Sequence, residues 1–290
     1  MSAYHTPVLF REAIDALQVR HGGRYVDATA GGGGHATEIV RRGGELLAID
    51  EDIEAIREVT RQLETVGSGT FTVVQGNFKN IADIIHDNGW DRVDGILFDL
   101  GVSSHQLDTP ARGFSYRFPE APLDLRLSQD NQVTAKEIIN GYREDDLYEI
   151  FSKLGEEKHS RTIARAISVS RAVKEIATAG DLKEIVQSIV GDHNVSATLS
   201  RVYQAIRMEV NQELEALKAG LAGAEASLKK DGRLVVISFH SLEDRIVKLW
   251  MRRLSFEMVT KKPITATQKE LYENKRARSA KLRVARKTIL

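Results

Sequence analysis

Short apolar runs alternate with longer stretches in which apolar residues return every three or four positions. Residues 24–28 (RYVDA), 45–49 (ELLAI), 70–75 (TFTVVQ), 93–100 (VDGILFDL) and 233–239 (RLVVISF) read as strands, the last composed for burial on both faces. Helical patterns separate the first four. One starts at His35 after a glycine run, and a charged amphipathic one covers 53–66 and stops at Gly67, Ser68 and Gly69. Before the first strand, a short extended lead gives way to a helix with Leu9, Ala13, Ile14 and Leu17 at core spacing. Strands joined by helical crossovers predict an α/β class with a parallel sheet, whose ligands collect at the carboxyl ends of the strands.

The alternation breaks after the fourth strand. Residues 109–131 show no period and hold three of the five prolines, Pro110, Pro119 and Pro122. Residues 133–191 then read as helical throughout. Thr134 with Glu137 and Asp181 with Glu184 have the spacing of capping boxes, and Gly155 and Gly191 stand at plausible stops. A long helix over 199–230, ended by Asp231-Gly232, leads back to the fifth strand. The expected division is a sheet domain from 1–108 and 199–290, interrupted by a helical domain with its leading loop at 109–198.

The stretch 25–50 carries the first chemical signal. Four glycines, Gly31 to Gly34, follow the first strand, and Asp50 ends the second. Glycines permit positive φ and close backbone approach, and an acid at that separation suits a ribose diol, so an adenosine-bearing cofactor is expected. Gly31, Gly33 and Ala36 also satisfy the relaxed dinucleotide fingerprint, which leaves nicotinamide and S-adenosylmethionine both open. The plainer alternative is a turn that only closes strand onto helix. Phe78, after the third strand, either packs on adenine or is the first core residue of the next helix. Asp99 ends the fourth strand, and the polar residues 101–106 after it read as an active-site loop.

In the loop at 109–131, Arg112, Phe114, Tyr116, Arg117 and Phe118 interleave cations with rings, a combination able to stack an unpaired base and hold its phosphate. The competing reading is an extended segment pinning aromatics into an interface. Lys158, Arg161 and Arg165 share a helical face suited to phosphates, or to plain solvation. Residues 261–290 hold ten basic against two acidic residues, which points to a polyanion or to a solvated edge hairpin.

Composition narrows the classes. The 290 residues are 42% hydrophobic, enough for a substantial core. With 41 basic and 41 acidic residues the formal charge is zero, so attraction to nucleic acid must come from local patches. No cysteine is present, which excludes disulfides, thiol catalysis and thiolate metal sites and suits a reducing compartment. The first apolar stretch carries Arg11, Glu12 and Asp15, and no run is long enough to span a bilayer, so a soluble cytoplasmic protein is expected.

Several blocks together resemble the RsmH (MraW) family of ribosomal RNA small-subunit methyltransferases. They are HTPVL from His5, GGH at 33–35, DGILFDLGVSSHQLD at 94–108, RGFSY at 112–116 and PLDLR at 122–126. AIRMEVNQEL at 205–214, GRLVVISFHSLEDRIVK at 232–248 and RARSAKLR at 276–283 complete the series, in the family's order. The resemblance implies a Rossmann-like class I methyltransferase sheet with an inserted small all-helical domain. It also implies S-adenosyl-L-methionine as cofactor and methylation of the exocyclic N4 of a cytidine in the decoding region of small-subunit (16S-type) ribosomal RNA. Carried over by position, the cofactor residues are Gly33, Gly34, His35, Asp50, Phe78, Asp99 and Gln106. For catalysis Asp99, aided by Ser103, Ser238 and His240, is expected to orient the amine, with His240 or bulk water taking the proton; no metal is required. RNA contacts are expected from Arg112, Phe114, Tyr116, Arg117, Lys158, Arg161, Arg165, Arg276, Arg278 and Lys281. The partner is the RNA or the assembled small subunit, and the protein a monomer or homodimer. Two alternatives stand beside this reading: a nicotinamide-dependent oxidoreductase, and a non-catalytic RNA-binding assembly factor.

Overall fold

A computed structural model describes residues 7–66 and 69–289. His5, Thr6, Gly67 and Ser68, named above, and the last tail residue Leu290 lie outside them. The chain divides into two compact units, one of the described residues up to Ser103 and from Leu214 onward, the other Ser104–Glu213.

The first unit holds seven strands: β1 (Arg24–Asp27), β2 (Glu45–Asp50), β3 (Phe71–Gln75), β4 (Val93–Asp99), β5 (Leu228–Ser238), β6 (Phe256–Met258) and β7 (Lys281–Lys287). They lie in the order β3-β2-β1-β4-β5-β7-β6. β1 to β5 are parallel, while β7 runs antiparallel to both β5 and β6. Strand order reverses between β1 and β4, and the carboxyl ends of those two strands therefore open a crevice. This is the expected Rossmann-like α/β sheet.

Period-two alternation sends neighbouring residues to opposite faces. Tyr25, Leu46, Ala48, Leu97, Val235 and Ile237 join one core, with α1 (Phe10–Leu17), α2 (Gly34–Arg41) and α3 (Ile53–Glu64). Val26, Leu47, Ile49, Ile96, Phe98 and Val236 join the other, against α4 (Ile81–Asp87) and helices from later in the chain. Both faces of β4 are dry, which explains its unbroken apolar run. Each buried leucine or isoleucine contributes about 1.5–3 kcal/mol, so the strand tips are carried on a stiff support.

The second unit is helical: α5 (Ser104–Asp108), α6 (Ala135–Gly141), α7 (Glu144–Lys153), α8 (Ser160–Val173), α9 (Ala179–Val190) and α10 (Val195–Asn211). Ile138, Leu147, Phe151, Ile163, Leu182 and Val202 are fully buried in it. Thr134 and Glu137 form the expected capping box, but the second box is Thr178 with Asp181, placing Asp181 at the third helical position rather than at the cap. The segment expected to be an active-site loop contains the one-turn α5. Between α5 and α6 the chain is irregular yet anchored. Gly113 has φ +71°, and a Cβ there would stand 2.1 Å from the Pro122 carbonyl oxygen, so only glycine fits.

The long helix expected at 199–230 is two helices. α10 ends at Asn211, Gln212 takes a left-handed conformation (φ 50°, ψ 40°), and α11 covers Glu213–Ser227. The reason is Asn211, whose amide nitrogen donates to the Leu125 and Arg207 carbonyls and whose oxygen accepts from the Leu127 N–H. β5 then begins at Leu228, inside the span read as helix. The boundaries between units fall accordingly at Ser103/Ser104 and Glu213/Leu214, not at 108/109 and 198/199. α12 (Ser241–Trp250) and α13 (Gln268–Glu273) complete the first unit. Among the described residues no helix is long and apolar enough to cross a membrane.

Candidate active site

Three carboxylates meet at the carboxyl ends of β1, β2 and β4. Asp50, at the end of β2, accepts the Gly31 N–H at Oδ2 (2.8 Å) and the Asp52 N–H at Oδ1 (2.9 Å). The acid assigned to the ribose thus also closes the glycine turn, and each oxygen keeps a further lone pair for a hydroxyl. Gly31 and Gly33 have φ of +49° and +81°. Gly34 is glycine for another reason: its Cβ would stand 2.2 Å from Pro7 Cγ, so the segment leading into α1 packs directly on the turn. α2 starts there, and its first-turn N–H groups lack partners within the helix; that of Ala36 turns to Asp27.

Asp27 ends β1 and is 1% exposed. Its Oδ1 accepts the Thr29 N–H at 3.2 Å, while Oδ2 is buried with no hydrogen-bond partner. Burial pushes its carboxyl up to about 7, against the opposing pull of the Thr29 amide and with a smaller push from Asp50. Burial likewise raises Asp50 to about 6. Asp99 ends β4. Its N–H donates to Thr29 Oγ1 at 2.6 Å, which ties the tips of β1 and β4 together. Asp99 Oδ2 lies 3.7 Å from Nδ1 of the buried His35, and its Oδ1 is buried without a partner. Burial first, then the charges of Asp27 and Glu243, hold this carboxyl well above the usual range.

Glu243 closes the far side. It is buried in the first turn of α12 and accepts the N–H groups of Phe239 (2.9 Å) and His240 (3.3 Å). His240 is the N-cap of α12: Nδ1 accepts the Glu243 N–H at 3.4 Å, and Nε2 lies 3.0 Å from Glu243 Oε1. His240 thus caps α12 through Nδ1, while Nε2, close to Glu243, is buried without a hydrogen-bond partner. Ser238 is corrected. Its buried hydroxyl donates to the Lys281 carbonyl at 3.4 Å, inside the sheet between β5 and β7. Ser103 is half-buried beyond β4. Phe78 meets Phe98 edge-on at 5.6 Å, and a Cβ on Gly220 would stand 2.8 Å from its ring. It is a core residue with one part still exposed.

Asp27, Thr29 and Glu243 were missed by sequence reasoning. Asp27 had a signal, an acid ending the first strand just before the glycines; Thr29 and Glu243 became visible only when the strand tips and α12 were folded together.

Several residues expected at RNA are accounted for inside their own units. In the helical unit, Arg112 is 8% exposed and donates to the Arg126 and Leu127 carbonyls (3.1 and 3.0 Å), while Phe114 is 5% exposed. Both fasten the loop and cannot stack a base. Tyr116 is half-buried, bonded to Ser196 and Ser200. Arg117 is exposed, beside Phe118 and Asp108. Lys158, Arg161 and Arg165 are exposed, with the Arg161 guanidinium 4.0 Å from the centre of the Tyr148 ring; Lys158 precedes α8 rather than lying on it. Gln106 is buried in α5. In the sheet unit the last part of the basic tail is built into the sheet as β7. β7 is an inner strand, Arg283 and Lys281 pair with Asp244 (2.6 and 3.4 Å), and Arg286 pairs with Asp231 (3.1 Å). Arg278 remains exposed, and Arg276 is half-buried.

Comparison with known proteins gives the family. The model of the MraW methylase family matches residues 2–288. The chain is 42% identical to ribosomal RNA small subunit methyltransferase H 2 of Agathobacter rectalis, over the whole of both chains. It is 43% identical to ribosomal RNA small subunit methyltransferase H of Phocaeicola vulgatus, covering 98% of this chain and 97% of that one. For the protein of the same name in Carboxydothermus hydrogenoformans the identity is 41%, over 99% of each. With a family match along nearly its full length and relatives above 40% identity over their full lengths, the chain belongs to the MraW methylase family.

Proposed function

We infer that the protein transfers the methyl group of S-adenosyl-L-methionine to small-subunit ribosomal RNA, with the exocyclic N4 of a cytidine in the decoding region as acceptor, in the cytoplasm. The observation that carries this is the electrostatics of the crevice: a glycine turn beside two buried carboxylates, Asp27 and Asp99, each with an oxygen lacking a partner. Such oxygens fit a cation. S-adenosylmethionine brings an ammonium and a sulfonium, whereas a nicotinamide dinucleotide brings an anionic pyrophosphate that the same carboxylates would repel. Gly33, Gly34 and His35 would hold the cofactor at the turn, Asp50 its ribose, and the exposed part of Phe78 would border the base; Gln106 is carried over from the family pattern. When bound, the cofactor supplies an electrophilic methyl group.

The chain's own residues then have one main task, since a cytosine amine is a poor nucleophile whose lone pair is delocalised into the ring. Asp99 Oδ1 accepts an amine N–H, which localises the lone pair and fixes its direction. Well-oriented reactants recover about 7–11 kcal/mol of barrier. The amine proton passes to Asp99 in its ionised form, whose affinity for protons burial raises, and on to water. Arg117, Lys158, Arg161, Arg165 and Arg278 are the exposed cations available to RNA phosphates.

The test is transfer of labelled methyl to small subunits lacking the modification, followed by nucleoside analysis. Label in N4-methylcytidine is expected. Label on a ring carbon would overturn the chemistry, and cofactor binding without any transfer would favour a non-catalytic assembly factor.

A further inference from the structure

β1 ends before β4 does. The ladder between them pairs Tyr25 with Gly95, Val26 with Ile96 and Asp27 with Leu97, and the Ala28 N–H still donates to the Leu97 carbonyl at 2.9 Å. Beyond that point the chain leaves β4: the Ala30 N–H donates to the Ile49 carbonyl of β2 at 2.9 Å, and the glycine turn follows. The next rung of a regular parallel ladder would bring the Asp99 N–H to the Ala28 carbonyl. It is Thr29 Oγ1 that accepts it, at 2.6 Å. A side-chain oxygen thus stands in for a backbone carbonyl where the crevice has to open. Thr29 is itself held, since its N–H donates to Asp27 Oδ1 at 3.2 Å. On the other flank of β4 the next amide, that of Leu100, donates to the Ile237 carbonyl at 3.0 Å. The backbone at Asp99 is therefore fastened from both sides, and the direction of Asp99 Oδ1, buried with no partner of its own, depends on that backbone.

We propose that Thr29 is a positioning residue for methyl transfer: its hydroxyl supplies the missing rung between β1 and β4 and so aims the Asp99 carboxylate at the acceptor amine. The inference rests on the transfer reading given above, and Thr29 acts through Asp99. Without that rung the Asp99 N–H loses its acceptor, and only the β5 side holds the strand tip. A displacement of about 1 Å between reacting groups costs about 100-fold in rate, so a small relaxation here is enough to be read in turnover. The cofactor's ribose site at Asp50 is fastened by other bonds, to the Gly31 and Asp52 amides, and does not depend on this rung.

Thr29→Val keeps the shape of the side chain and removes the acceptor, whereas Thr29→Ser keeps the acceptor and removes only a methyl group. Single-turnover methyl transfer to small subunits lacking the modification, at saturating cofactor and with the dissociation constant of S-adenosylmethionine measured alongside, separates positioning from binding. Thr29→Val is expected to slow transfer about tenfold or more while that constant changes less than about threefold, and Thr29→Ser to regain most of the native rate. A native rate in Thr29→Val, a loss confined to cofactor affinity, or a loss that Thr29→Ser does not restore would overturn the inference alone. The native protein offers a check that needs no variant: the Asp99 amide should exchange with solvent as slowly as that of Ala28, and exchange at the rate of an unbonded amide would overturn the inference as well. Absence of transfer by the native protein would overturn the transfer reading and this inference with it.

Discussion

Asp27→Asn in the cofactor-free protein gives a stability change whose size and pH dependence follow from the site. Burial lifts this carboxyl from 3.8 to about 7, and each tenfold gain in proton affinity is worth about 1.36 kcal/mol. The folded state therefore holds the Asp27 proton to higher pH than the unfolded chain does. Between about pH 4 and pH 7 the folded state binds more protons, and stability falls as pH rises. The cost of the acid is nil below pH 4 and complete above pH 7. Integrated over that window it is about 2 kcal/mol at pH 5 and about 4 kcal/mol at pH 8. At 1% exposure, solvent screening does not reduce the figure. Asparagine removes the ionisation, and the donor it presents at the Oδ2 position resembles the one the neutral acid already presents. The variant should thus be more stable than the native protein, by about twice as much at pH 8 as at pH 5. Urea denaturation at the two pH values, followed by a signal from the sheet unit, measures this. A variant less stable at pH 8, or one with equal gains at both pH values, would refute the reasoning.

Three further outcomes follow from the same geometry. Asp99→Asn should lower turnover by about 100-fold or more, the scale of a lost acid–base group; retention of both cofactor affinity and turnover in methyl-transfer and binding assays would remove Asp99 from the mechanism. Gly34→Ala puts a methyl group 2.2 Å from Pro7 Cγ, closer than side-chain carbons come, so Pro7 must retreat. A loss of about 1–3 kcal/mol in denaturant is expected, together with weaker cofactor binding; unchanged values for both would show that the packing of Pro7 on the turn is immaterial. Replacing Lys158, Arg161 and Arg165 by glutamate should flatten the salt dependence of RNA affinity, by about 0.7–0.9 in log–log slope for each phosphate no longer neutralised. An unaltered slope in filter binding would place the RNA elsewhere.

Where the sequence was informative, the signal was local. The strand runs, the glycine turn, Asp50 and Asp99 all follow from alternation and from what a parallel sheet does with its carboxyl ends. Misreadings arose where a side chain answered to a distant partner. Nothing near Asn211 in sequence shows that it bonds to Leu125 and Leu127, so the break at Gln212 stayed hidden within an uninterrupted helical pattern. Arg112 looked like a cation for phosphate because its acceptors, two backbone carbonyls 14 and 15 positions on, carry no sequence signature. The tail's excess of eight positives is only partly a surface field, because Lys281, Arg283 and Arg286 face acids from α12, β5 and β6. His240 was picked for its chemistry, yet its place before Ser241-Leu242-Glu243 also has capping-box spacing, with histidine in the position usually held by serine or threonine.

A crystal structure of the protein with S-adenosylhomocysteine or S-adenosylmethionine bound tests the central assignment most directly. The expected result is ligand density against the glycine turn, with the ribose at Asp50 and the amino-acid end or the sulfur facing the unpartnered oxygens of Asp27 and Asp99. Density elsewhere, with those two oxygens still without a partner, would contradict it.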